Sequence, residues 1–148
     1  MNRKSSITVV LLLLLGLGGY WFHQDYTYRQ QHGQVTDVDL FSYDQEVDKV
    51  QATKPVLIYF YRQEKNAPAD EAQLKTVKDF AWKNAYDVKV VAINTAHLEN
   101  LPLALANGAV RTPAFVFVSH DKHVNGQAGA AADYNELKRL LSLVQNQP

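Results

Sequence analysis

PVLIYFY, residues 55–61, is the stretch that decides the fold. After Pro55 every residue is β-branched, aliphatic or aromatic, with no polar residue turned to water. A run of that kind is a strand buried on both faces, which requires cover on both sides of its sheet. Working outward, residues 88–94 (VKVVAIN) and 114–119 (AFVFVS) carry the same signature, and residues 35–40 (VTDVDL) alternate as a half-buried strand does. Residues 123–128 read as a weak edge strand, with Asn125-Gly126 marking a tight turn after the polar stretch 120–122.

Helical segments fall between these strands. Ser42 with Gln45 forms a capping-box pattern, followed by Tyr43, Val47 and Val50 at helical spacing. Pro68 at a first helical position, with Asp70 and Glu71 behind it, predicts a helix start, because the free N–H groups and the dipole favour both. Its stripe is Leu74, Val77 and Ala81, flanked by Phe80 and Trp82. Thr95 caps a short helical piece that Pro102 interrupts and Asn107-Gly108 ends. Asp133 with Glu136 opens a last helix striped by Leu137, Leu140, Leu141 and Val144. The order is β-α-β-α-β-α-β-β-α, an α/β fold without internal repeats.

The 148 residues suffice for one domain and a leader, and 47% hydrophobic against 20% charged residues suits a globular core. Lys+Arg and Asp+Glu balance at 15 each; setting aside Arg3 and Lys4 leaves a slight acidic excess. No basic stripe supports nucleic-acid binding. Cysteine is absent, which excludes disulfides, a thiolate nucleophile, Cys-ligated zinc and a lipidated N-terminal cysteine.

Residues 1–23 read as a cytoplasmic stub and transmembrane signal-anchor. Arg3 and Lys4 form a cationic start, and residues 7–22 (ITVVLLLLLGLGGYWF) form an apolar run with Leu11, Leu13 and Leu15 at its centre. As a helix the run spans about 24 Å, extended by Ser5 and Ser6 on one side and by interfacial Tyr20, Trp21 and Phe22 on the other. A cleaved signal peptide is the alternative, with Gly16-x-Gly18 as its site; the missing A-x-A and the aromatic belt favour retention. Either way the basic residues keep the N-terminus cytoplasmic and place the domain outside the membrane. Residues 24–34 read as a polar spacer, and residues 35–148 as the domain.

Two segments carry a family resemblance. Arg111-Thr112-Pro113 before the strand at 114–119 resembles the thioredoxin segment in which a cis-proline faces the active site. The run 54–61, a loop and a helix near Pro68 resemble the unit that normally bears Cys-x-x-Cys. The resemblance covers residues 35–146 and implies a thioredoxin-like fold, a central mixed sheet flanked by helices. It sets the motif at Asn66-Ala67-Pro68-Ala69, or one residue earlier at Lys65-Asn66-Ala67-Pro68. Neither register has a thiol, and the central strand lacks the buried acid that many thioredoxins carry there. A narrower resemblance joins Tyr59-Phe60-Tyr61-Arg62 and Leu74, Val77 and Phe80 to the TraF group of periplasmic conjugative pilus-assembly proteins of type IV secretion systems. This chain is shorter and lacks their extra N-terminal region.

The leader, the thioredoxin-like pattern and the missing thiols together predict a redox-inactive, non-catalytic module, without cofactor or metal, in the bacterial inner membrane with its domain periplasmic. Asn66, Ala67, Pro68, Arg111, Thr112 and Pro113 would form a degenerate groove that binds an envelope protein by β-augmentation, which needs no sulfur. An enzyme with altered, thiol-independent chemistry and a structural accessory subunit of a membrane complex are the other readings. His120, Asp121 and His123 lack an evident fourth ligand and read as a solvated turn rather than a metal site. Asp70 and Glu71 are helix neighbours whose side chains diverge by about 100°, so they make no acid–base pair.

Overall fold

The computed structural model describes residues 3–66, 70–119 and 124–146, and the side chains among these except at 3–8 and 124–125. Its sheet has five strands in the order β1-β3-β2-β4-β5. They are β1 (Val35–Asp37), β2 (Val56–Tyr61), β3 (Lys89–Asn94), β4 (Ala114–Val118) and β5 (Val124–Ala128). β1, β3 and β2 run parallel; β4 runs antiparallel to β2, and β5 to β4. The PVLIYFY run thus occupies the middle of the sheet, where a strand is covered on both faces and alternation is not required.

Period-two geometry divides β2 between two cores. Leu57 and Tyr59 face one side, with Phe80 of α2 (Glu71–Lys83), Phe115 and Phe117 of β4, and Leu137, Leu140 and Leu141 of α4 (Tyr134–Gln145). Val56, Ile58 and Phe60 face the other, against Val47, Ile93 and Leu103. That side is covered by a π-helical turn (Asp44–Asp48) and by a 3-10 turn (Leu98–Asn100) leading into α3 (Leu101–Ala106). The buried side chains of α4 are those of its sequence stripe: Leu137, Leu140, Leu141 and Val144.

Local hydrogen bonds and packing explain five departures from the sequence reading. Asp39, not Ser42, is the local cap: its carboxylate accepts from the N–H groups of Phe41 (3.0 Å) and Ser42 (2.8 Å). α2 opens at Glu71 rather than at Pro68, because Asp70 accepts from the Gln73 N–H at 3.0 Å and so fixes the first turn. Pro102 begins α3 instead of interrupting it, in the position where a missing N–H costs nothing; Thr95 donates its hydroxyl to the Tyr61 carbonyl (3.1 Å) instead of capping. Asn125-Gly126 lies inside β5, paired with Phe117 and Val116. A Cβ at Gly126 would run into the Phe115 carbonyl oxygen, so this glycine serves strand contact rather than a turn. Gly108 does end α3 with φ +73°, as expected.

The N-terminal helix α1 (Arg3–His32) runs without a break through the segment read as a spacer, and its last third docks on the domain. Arg29 donates to the carbonyls of Trp82 (2.7 Å) and Lys83 (3.2 Å), placing a cation at the negative end of α2. Tyr28 stacks on Tyr86 with centroids 4.2 Å apart, and Asp25 accepts from both the Tyr86 hydroxyl and Arg29, each at 2.9 Å. Among the described residues no helix is long and apolar enough to cross a membrane.

Candidate functional site

The C-terminal ends of β1, β2 and β3, the N-terminal half of α2 and the Thr112-Pro113 peptide bond meet around a cleft of about 440 Å³. That peptide bond is cis, as the resemblance implied. Three strand residues, Tyr59, Tyr61 and Ala92, form the floor; Leu74 and Lys78 come from α2, and Asp37 from the end of β1. The cleft exists because α2 starts late. With its first turn at Glu71, the helix packs its Phe80 over buried Leu57, while among the described residues the end of β2 stays open to one side.

An aromatic row lies beneath it. Tyr59 stacks on Phe115 (centroids 5.2 Å apart) and on Tyr61 (5.4 Å). Tyr59 is 3% exposed, yet among the described residues its hydroxyl has no hydrogen-bond partner, and the residue lines the cleft. Burial, then the charge of Asp70, then Tyr61 push the Tyr59 hydroxyl up to about 12. Burial and then Asp37 push the Tyr61 hydroxyl up as well. Both phenols are therefore neutral donors and acceptors at physiological pH.

The loop after β2 is pinned from β3. The Asn94 side chain accepts from the N–H groups of Gln63 and Ala96 (3.0 Å each) and donates to the Gln63 carbonyl at 2.9 Å. Arg62 turns to Glu64, 2.9 Å away. Across the cis-proline a second groove of about 400 Å³ is lined by Leu101, Leu105, Val110, Arg111 and Thr112; Leu105 and Val110 are largely exposed.

Of the residues expected at the groove, Thr112 and Pro113 line the cleft, Thr112 is shared with the second groove, and Arg111 belongs to that groove alone. Asn66 sits in an exposed turn and lines neither. Ala67 and Pro68 lie outside the described residues, as do His120, Asp121 and His123. Among the described residues no cluster of three His, Asp or Glu side chains is placed to hold a metal. Tyr59, Tyr61, Asp37 and Leu74 were not singled out from sequence as site residues. The signal that was available is the phenol at Tyr59, a polar group in an otherwise apolar buried run.

No protein-family model matches the sequence, and no curated protein does. Solved structures match in shape. Spinach chloroplast thioredoxin f (long form) superposes with TM-score 0.64 at 20% identity, covering 82% of this chain and 94% of its own. Chloroplastic thioredoxin z gives 0.61 at 14% identity, over 77% and 96%. A mutant thioredoxin from Halobacterium salinarum gives 0.61 at 22%, over 79% and 96%. With this strand order and cis-proline, the chain has a thioredoxin-like fold, and its sequence contains no cysteine.

Proposed function

We propose that this chain is a non-catalytic, membrane-anchored thioredoxin-like module of the bacterial envelope that holds an extended segment of a partner protein against Arg111, Thr112 and Pro113. The observation that carries the reading is the cis Thr112-Pro113 bond set between two open grooves. Among the described residues no hydrogen bond engages the backbone of Arg111 or Thr112, so an added strand can pair there without displacing one.

Anchoring is supported by the apolar run on α1, where Leu11 to Leu15 are each more than half exposed, and by Arg3 and Lys4 before it. Such a surface needs lipid or protein cover. The basic residues favour a cytoplasmic N-terminus and a periplasmic domain. A role in conjugative pilus assembly or type IV secretion is the finer form of this reading, and rests on residues 59–62 and 74–80 alone.

The test is site-specific photocrosslinking of the full chain in its native membranes. A crosslinker at Thr112 is expected to give a discrete protein adduct, and one at Ser142, exposed on α4, none. Equal adducts at both positions, or only free monomer, would remove the reading.

A further inference from the structure

We propose that the cleft over Tyr59 is a subsite for an alkylammonium group, the end of a lysine side chain carried by the bound segment. The inference rests on the peptide-binding reading above and names the side chain that reading leaves open. The Tyr59 side chain is almost wholly buried and lines the cleft, so an apolar occupant there would cut its unpartnered hydroxyl off from water, which is costly. An occupant with a polar end is therefore required.

Charge selects which polar end. Asp37 and Asp70 both line the cleft; Arg62 and Lys78 line it too, but Arg62 is paired with Glu64. Asp37 and Asp70, exposed like Lys78, are left two to one over it. Burial first, and then Asp70 at Tyr59 and Asp37 at Tyr61, raise the two tyrosine hydroxyls, and two carboxylates lining one cleft disfavour an anion. The lining suits the stem: Val35 and Leu74 beside the floor residue Ala92 offer apolar contact for methylenes leading to a charged head. The opening lies at Thr112 and Pro113, where the extended segment would pass. Thr112, Pro113 and Tyr59 line one cleft, so a side chain directed inward from that segment enters the space above Tyr59.

The experiment uses the full chain in nanodiscs and measures binding of three probes by calorimetry. One is a capped hexapeptide with a single central lysine, the second its norleucine twin, the third n-butylammonium. Tighter binding of the lysine peptide by about tenfold is expected, as one charge-assisted hydrogen bond contributes. The preference should vanish in Asp37→Asn/Asp70→Asn, which keeps both shapes and the Asp70 cap acceptor, and shrink in Tyr59→Phe. Equal binding of the two peptides, or a preference unchanged in the double variant, overturns this inference and leaves peptide binding standing. Binding of n-butylammonium that depends on the two carboxylates, with neither peptide bound, supports the ammonium subsite and overturns the peptide reading. No binding of any probe overturns both.

Discussion

The two faces of the sheet end differently at the same strand. On one face Phe60 is wholly buried, sealed by the 3-10 turn and α3. On the other face its neighbour Tyr61 is half-buried and opens onto the cleft. Both belong to one uninterrupted apolar run, so strand composition does not produce the difference. The helices do. The 3-10 turn that leads into α3 begins four residues after β3, whereas α2 begins ten residues after β2 and, among the described residues, the end of β2 is left open on that face. A site can thus be opened by where a helix is capped, with no change in the sheet.

The largest effects expected from breaking this contrast lie on the sealed face. Phe60→Ala should cost about 4 kcal/mol, whereas Tyr61→Ala, removing a ring of similar size from the open face, should cost about 1 kcal/mol. Denaturant melts of both variants check the ratio; equal losses would mean that the cleft is closed in solution. Next comes the link that holds α2 at its late start. Buried Gln73 donates to the Ala132 carbonyl at 2.8 Å and accepts from its N–H at 3.0 Å. Gln73→Leu leaves both backbone groups buried and unpaired, at a cost of about 2–3 kcal/mol; an apolar replacement that left the melt unchanged would show that water fills the gap.

Tyr59→Phe separates shape from chemistry. It removes an unpartnered hydroxyl, so stability at neutral pH should stay the same or rise by up to about 1 kcal/mol. The wild type should differ at alkaline pH. With the folded pKa raised above the usual 10 to about 12, the unfolded chain loses this proton first, so stability falls as pH rises from 10 towards 12. Melts across that range should show a smaller decline in Tyr59→Phe.

The smallest effect concerns the docked end of α1. Arg29→Met should cost about 1 kcal/mol or less and speed amide exchange around residues 30–34. Asp25 adds a pH signature. Its hydrogen bond from Arg29, then that from Tyr86, lower its pKa below the usual 3.8. The docking it supports is therefore present above that pH and lost as pH falls through the lowered value. Proteolysis of the junction at descending pH would show it.

Much of this was readable in the chain, for reasons that differ by element. β2, β3 and β4 were placed within about one residue because a continuous β-branched and aromatic run carries its own signature. The α4 stripe was readable because period 3.6 needs no tertiary information. Caps were harder. Ser42 and Asp39 compete for the same local N–H groups, and the backbone path, not residue type, chose Asp39. Asn125-Gly126 carries the composition of a turn, yet the approach of Phe115 across the sheet recruited that glycine into a strand. The polar segment 24–34 lacks an apolar period because its contacts are an arginine on helix carbonyls and stacked tyrosines, interactions that hydropathy does not register.

Sequence by itself determined that this chain carries no cysteine thiol, since no fold can supply a side chain that the residues lack. It also determined the central strand and the proline placed to open β4, because both follow from local residue types. The cleft was decided only by tertiary structure. Tyr59 and Tyr61 lie more than ten residues from Leu74 and more than fifty from Pro113 in the chain, and no local pattern states that a helix capped at Asp70 will stop short of them. Removal of a group from water, and the charge it then faces, are properties of the packed molecule.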